Sequence, residues 1–120
     1  MRYMLLVIEP PGQRATRTRA EGEAAYAAMR AFSEKLRERG QLVAVESLAS
    51  HAKASRVQRQ GEKVSVVDGP FAEAKEMIGG FFMIDVPGPE QALAIAGECP
   101  AAQWCPVEVR ALAPCFDDSV

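Results

Sequence analysis

A carboxylate on a stiff corner, followed by a lysine flanked by two acids, is a set able to move protons on a small anion. Here the set is Asp68, Glu73, Lys75 and Glu76, inside the stretch VVDGPFAEAKEMIGGFFMIDV that runs from Val66 to Val86. Asp68 precedes Gly69 and Pro70. Proline fixes its own φ near −65° and restricts the residue before it, so the carboxylate is carried on a rigid turn. Rigid placement is what a proton-transfer group needs. Aspartate is equally a favoured turn former that accepts local backbone amides, and both readings stand. Lys75 either pairs with Asp68, Glu73 or Glu76, or meets an anionic substrate. Exposed pairs are worth only about 0–1 kcal/mol, so stability alone is a poor reason for the cluster. If the segment is a helical turn, Glu73 and Glu76 share a face; if it is extended, Glu73 and Lys75 do.

Two further proton groups join Asp68 and Lys75 as catalytic candidates. Glu46 shares strand parity with Leu42, Ala44 and Leu48. An apolar setting would raise its pKa and suit it to acid or base work, whereas a place near the strand end would give it to water. His51 has the intrinsic pKa of a proton shuttle, and a lone loop histidine is otherwise simply solvated. Gly69, Pro70, Phe71, Glu73, Glu76, Gly80 and Phe82 form the candidate substrate-binding set. Gly79-Gly80 signals either close approach of backbone or ligand, or a bulge or tight turn. Phe71 and Phe82 read as core or cleft wall and not as stacking platforms, since nothing basic surrounds them in the sequence. Arg14, Arg17 and Arg19 read as a solvated loop and not as a phosphate site. Cys99, Cys105 and Cys115 are odd in number, each next to a proline, without a C-x-x-C pair. That argues against a disulfide framework or a zinc knuckle, and no metal site is expected.

These residues need elements to position them. Met1–Glu9 reads as a strand with apolar side chains on both alternate sets, stopped by Pro10-Pro11-Gly12. Thr18 and Glu21 have capping-box spacing for a helix over 19–39. Its stripe is Ala25, Met29, Phe32 and Leu36, and Gly40 supplies the stop. Gln41–Leu48 is a second strand. Ser55–Gln60 and Lys63–Asp68 make a hairpin around Gln60-Gly61. Gly80–Val86 is a strand apolar on both faces. Pro89 opens a helix to about Cys99, with Leu93 and Ala96, or Ala92 and Ile95, facing inward. Val107–Leu112 is an edge strand, and the tail through Val120 is expected to be mobile or used in contacts. The order predicts an α+β fold: a ferredoxin-like βαββαβ antiparallel sheet with an inserted β-hairpin and both helices on one face. The uncovered apolar face is then a contact surface. Two copies packed through their sheet faces would close a dimeric α+β barrel, so a homodimer is expected. A monomer with long loops folded over the sheet is the alternative.

At 120 residues the chain is a single domain, 1–120. A net charge of −2 gives no general attraction to nucleic acid or anionic lipid. The run Tyr3–Ile8 is too short for a signal or a membrane span, and a cytoplasmic location is the default. With no G-x-G-x-x-G and no P-loop, no flavin, nicotinamide or nucleotide cofactor is expected.

Asp68-Gly69-Pro70-Phe71, the following Ala72-Glu73-Ala74-Lys75-Glu76, and Gly79-Gly80-Phe81-Phe82 together resemble the signature of the YCII-related family, in its DGPF-motif branch. Arg2-Tyr3-Met4-Leu5-Leu6, Gly40-Gln41-Leu42, Pro100-Ala101-Ala102 and Val107-Glu108-Val109-Arg110 extend the likeness over nearly the whole chain. The resemblance implies a ferredoxin-like fold that dimerises through its sheets. Distant relatives of that barrel act on muconolactones and chlorinated muconates or are cofactor-free oxygenases. Bacterial members are often associated with extracytoplasmic-function sigma factors. Family members with suspected catalysis carry a histidine on the first helix, working with an aspartate. This helix reads Tyr26-Ala27-Ala28-Met29-Arg30 at the comparable turn, so that dyad does not carry over. The reading is a cofactor-independent, isomerase- or lyase-like enzyme moving protons on a small polar or anionic metabolite. The competing reading is a non-catalytic ligand-binding or regulatory module tied to sigma-factor-dependent transcription.

Overall fold

Strand β1, Arg2–Glu9, sends Tyr3, Leu5, Val7 and Glu9 to one face and Met4, Leu6 and Ile8 to the other. In the computed structural model, which describes residues 1–119, a short 3₁₀ turn at Arg14–Thr16 leads into helix α1, Arg19–Glu38. The capping box forms. The Glu21 amide donates to the Thr18 hydroxyl at 3.1 Å, and the Thr18 amide donates to the Glu21 carboxylate at 2.8 Å. Gly40, at φ +70°, takes the left-handed turn that ends the helix. Strand β2, Leu42–Ser47, is followed by β3, Ser55–Gln60, and β4, Lys63–Asp68. Then come β5, Met77–Asp85, helix α2, Pro89–Glu98, and β6, Val107–Ala111.

The main sheet has the order β2-β5-β1-β6 and is antiparallel throughout, while β3 and β4 form a separate two-stranded sheet. This is the split βαββαβ arrangement with a hairpin inserted between β2 and β5. Both helices pack on the Tyr3–Leu5–Val7 face. Phe32 and Leu36 of α1 and Ala92, Ile95 and Ala96 of α2 join Phe82 and Ile84 in one core, with Phe32 edge-on to Phe82 at 5.1 Å between centroids. Of the two inward sets open for α2, the structure selects Ala92 and Ile95 with Ala96, and leaves Leu93 exposed. Cys99 and Cys105 are buried in this core, where desolvation pushes both thiols up; Cys115 is exposed.

The opposite face carries Met4, Leu6, Phe81 and Met83, with Leu6 paired to Phe81 and Met4 to Met83. Neither helix covers it. The least extent of the chain, 20 Å, fits a sheet plus one helical layer. Every residue of β3 and β4 is exposed, including Val57, Val64 and Val66. Within the described residues no helix is long and apolar enough to cross a membrane. The tail is described only to Ser119, so its expected end at Val120 lies outside the described residues.

Two boundaries differ from the alternation in the sequence. β5 begins at Met77, ahead of Gly80, because the glycine pair sits inside the strand at a bulge. In β2 an irregularity between Leu42 and Ala44 resets the parity: Leu42 and Val45 pack toward the core, and Glu46 is exposed opposite Phe81. The apolar setting considered for Glu46 is therefore not formed.

Candidate functional site

Val7 of β1 faces Gly80, but Ile8 faces Ile78, which leaves Gly79 as the extra residue of a β-bulge. The Glu9 carboxylate lies against it. A Cβ on Gly79 would come 1.8 Å from Glu9 Oε1, so a side chain there would displace the carboxylate from its seat. Gly80 is equally constrained, its Cβ position being 2.8 Å from the Glu46 carbonyl oxygen. The glycine pair thus serves both as a bulge and as a site of close approach.

Glu9 is only 8% exposed. A buried carboxylate needs a charged or hydrogen-bonding partner, and Arg14 supplies both. Its Nε donates to Oε2 and its Nη2 to Oε1, each at 3.0 Å, and Nη2 also donates to the Gly79 carbonyl at 3.3 Å. A cleft of about 620 Å³ opens between α1 and the sheet, with Glu9 and Arg14 in its wall. Val7, Val45 and Phe82 line it from the sheet and Tyr26, Met29 and Arg30 from α1; Arg17 and Trp104 also contribute. The Arg17 guanidinium lies over the Trp104 ring, 5.2 Å from its centroid. Arg37, also in the wall, is paired with Glu34. Among the described residues, Arg17 and Arg30 form no ion pair.

The Asp-Gly-Pro-Phe segment is elsewhere. Asp68 ends β4, exposed, and accepts the Ser55 hydroxyl across the hairpin at 2.7 Å. The Gly69 amide donates to the Ala54 carbonyl at 2.8 Å, and a Cβ on Gly69 would lie 1.9 Å from the His51 carbonyl oxygen. The Gly69–Pro70 bond is cis. Phe71 is buried, with the His51 ring edge-on at 6.1 Å and the Arg56 guanidinium 3.7 Å from its centroid, so a basic group does meet this ring. The corner fastens the base of the hairpin to the His51–Lys53 turn. His51 Nδ1 is buried without a partner among the described residues. The connection itself is neither helical nor extended. The Ala74 amide donates to the Phe71 carbonyl at 3.0 Å in a turn, Glu73 pairs with Arg56 at 3.3 Å, and Lys75 and Glu76 are exposed.

The fold thus divides the sequence candidates. Asp68, Gly69, Pro70, Phe71 and His51 share one corner, with Glu73 beside it through Arg56. Glu46, Gly80 and Phe82 line the cleft, which Asp68, His51 and Lys75 do not. Sequence reasoning missed Glu9, Arg14, Arg17, Arg30 and Trp104. One signal was present: Glu9 continues the parity of Tyr3, Leu5 and Val7, which turned out to be the core face. Arg14 and Arg17 of the basic cluster line the cleft and are not simply part of a solvated loop.

A two-layer α+β domain of ferredoxin-like topology, with a hairpin between its second and last-but-one sheet strands, is the class that this geometry defines. The chain matches the model of the YCII-related domain over residues 1–115 and belongs to that family. It is 30% identical over 96 residues to an uncharacterized protein of Rhizobium meliloti, covering 80% of this chain and 77% of that protein.

Proposed function

We propose that this YCII-related protein binds a small organic anion in the cleft between α1 and the sheet. The observation that carries the reading is the charge in the wall. Arg14 and Arg37 are matched by Glu9 and Glu34, whereas Arg17 and Arg30 have no carboxylate partner among the described residues. Guanidinium forks suit carboxylates, and Val7, Val45, Met29 and Phe82 suit a short hydrocarbon body. Proton-transfer turnover would need its acid or base at this cleft. Of the four candidate groups only Glu46 borders it, exposed at the sheet edge. Binding is therefore the reading that the geometry supports best.

Self-association belongs to the same proposal. The face with half-buried Met4, Phe81 and Met83 around buried Leu6, which neither helix covers, would be closed by a second copy meeting it sheet to sheet.

Thermal unfolding of the wild type and of an Arg17→Ala/Arg30→Ala variant, with succinate, benzoate or inorganic phosphate, tests the binding reading. Ligand at about a hundred times Kd adds about 2.7 kcal/mol of stability. At least one probe should raise the wild-type midpoint, and the variant should lose that rise. Failure of all three probes, or an equal rise in the variant, overturns the reading.

A further inference from the structure

The position of Arg17 is set by its neighbours. The segment from Pro10 to Thr18 is pinned at three points. Gln13 Nε2 donates to the Trp104 carbonyl at 2.8 Å, Arg14 forks onto Glu9, and Arg17 lies over the Trp104 ring. Thr16 closes the turn from within, its hydroxyl donating to the Gln13 carbonyl at 2.6 Å.

Glu9 is the most deeply placed of these anchors, and β5 admits it only through Gly79. As a stabilising device the pair is a poor choice. Desolvation offsets much of the attraction between buried charges, and apolar replacements are often neutral or better. What a bidentate pair does supply is orientation, because it fixes the plane of the guanidinium. Arg14 lines the cleft, and its Nη1 has no protein acceptor among the described residues.

We infer that Glu9 is a positioning residue for the cleft. Seated against Gly79, its carboxylate fixes Arg14 and the 10–18 segment, so that the Nη1 edge of Arg14 and the Arg17 guanidinium are aligned for the carboxylate head of a small organic acid. This rests on the anion-binding reading and adds the group that makes the guanidiniums ready before ligand arrives. Preorganisation of this kind removes part of the ordering cost of binding.

The sign of one substitution separates this role from a bland one. Glu9 is an anion near an anion site, so its charge alone disfavours the ligand. If it contributed charge only, Glu9→Gln would tighten binding. As a positioning residue it is required, and Glu9→Gln should raise the Kd for succinate, measured by calorimetry on the full chain, by roughly tenfold. Arg14→Lys keeps the charge but loses the fork, and Gly79→Ala drives a methyl group into the carboxylate; both should weaken binding in the same direction. These two carry the test if Glu9→Gln does not fold. An unchanged or lower Kd in Glu9→Gln, or in both Arg14→Lys and Gly79→Ala, overturns the inference. The Arg17→Ala/Arg30→Ala variant separates the two failures. If it binds succinate like the wild type, the anion site itself is wrong. If it loses binding while the Glu9, Arg14 and Gly79 variants keep theirs, only the positioning role is wrong.

Discussion

At the residue scale, Gly69 is the position with least freedom. The atom that an added Cβ would meet is the His51 carbonyl oxygen, 1.9 Å away, and backbone does not swing aside as a side-chain tip can. Gly69→Ala should therefore lower stability by about 1–3 kcal/mol in urea unfolding. Asp68 behaves differently. Its exposed bond to Ser55 is kept in shape by asparagine, so Asp68→Asn should unfold near the wild-type midpoint and bind cleft ligands unchanged. A large loss of binding would return Asp68 to the ligand. The cysteines divide by burial. The thiolate is the reactive form, and desolvation, the leading cause for both Cys99 and Cys105, holds them protonated. A thiol reagent at neutral pH should modify exposed Cys115 first and the other two only on unfolding.

At the scale of elements, the start of α1 has a pH signature. The backbone amide of Thr18, and then its side chain, hold the Glu21 carboxyl below its ordinary value. A depressed carboxyl pKa stabilises the folded state above the unfolded value, and that contribution is lost as the pH falls through the folded one. Thr18→Ala keeps the amide hydrogen bond and loses the hydroxyl, so it should lower the melting temperature at neutral pH and flatten only part of its dependence on pH in that acid window. The hairpin is the weak element. A two-stranded ribbon is marginal alone in water, and Val57 and Val66, paired across it, are 63% and 60% exposed. In dilute protein its amides should exchange with deuterium well before those of β1 and β5.

For the whole molecule, shape is the guide. The radius of gyration is 16.3 Å, against about 14 Å for a compact chain of this length. A flat two-layer body with a projecting hairpin accounts for the excess. An apolar sheet face without a helical layer on such a body favours a second copy as its cover. Met83→Glu places a charge beside Met4 at the middle of that face. If two copies meet there, sedimentation should show a dimer in the wild type and a folded monomer in the variant.

The fold was legible because its signals are local and periodic. The two-sided apolar strands, the Thr18–Glu21 box, the stop at Gly40 and the hairpin around Gly61 each follow from which groups must be buried or capped, and those needs are met within a few residues. The candidate site was not legible in the same way. Asp68 and Lys75 are close in sequence, but in the fold Asp68 accepts the Ser55 hydroxyl, Lys75 is exposed, and neither lines the cleft. Glu9 and Gly79, far apart in the chain, form the cleft wall because one bulge shifts the β1–β5 register. Local pattern was enough to say which segments become strands and helices, and which strands are apolar on both faces. Which charges meet came from the packed fold, because an extra residue in a ladder moves side chains relative to their partners and leaves no periodic trace.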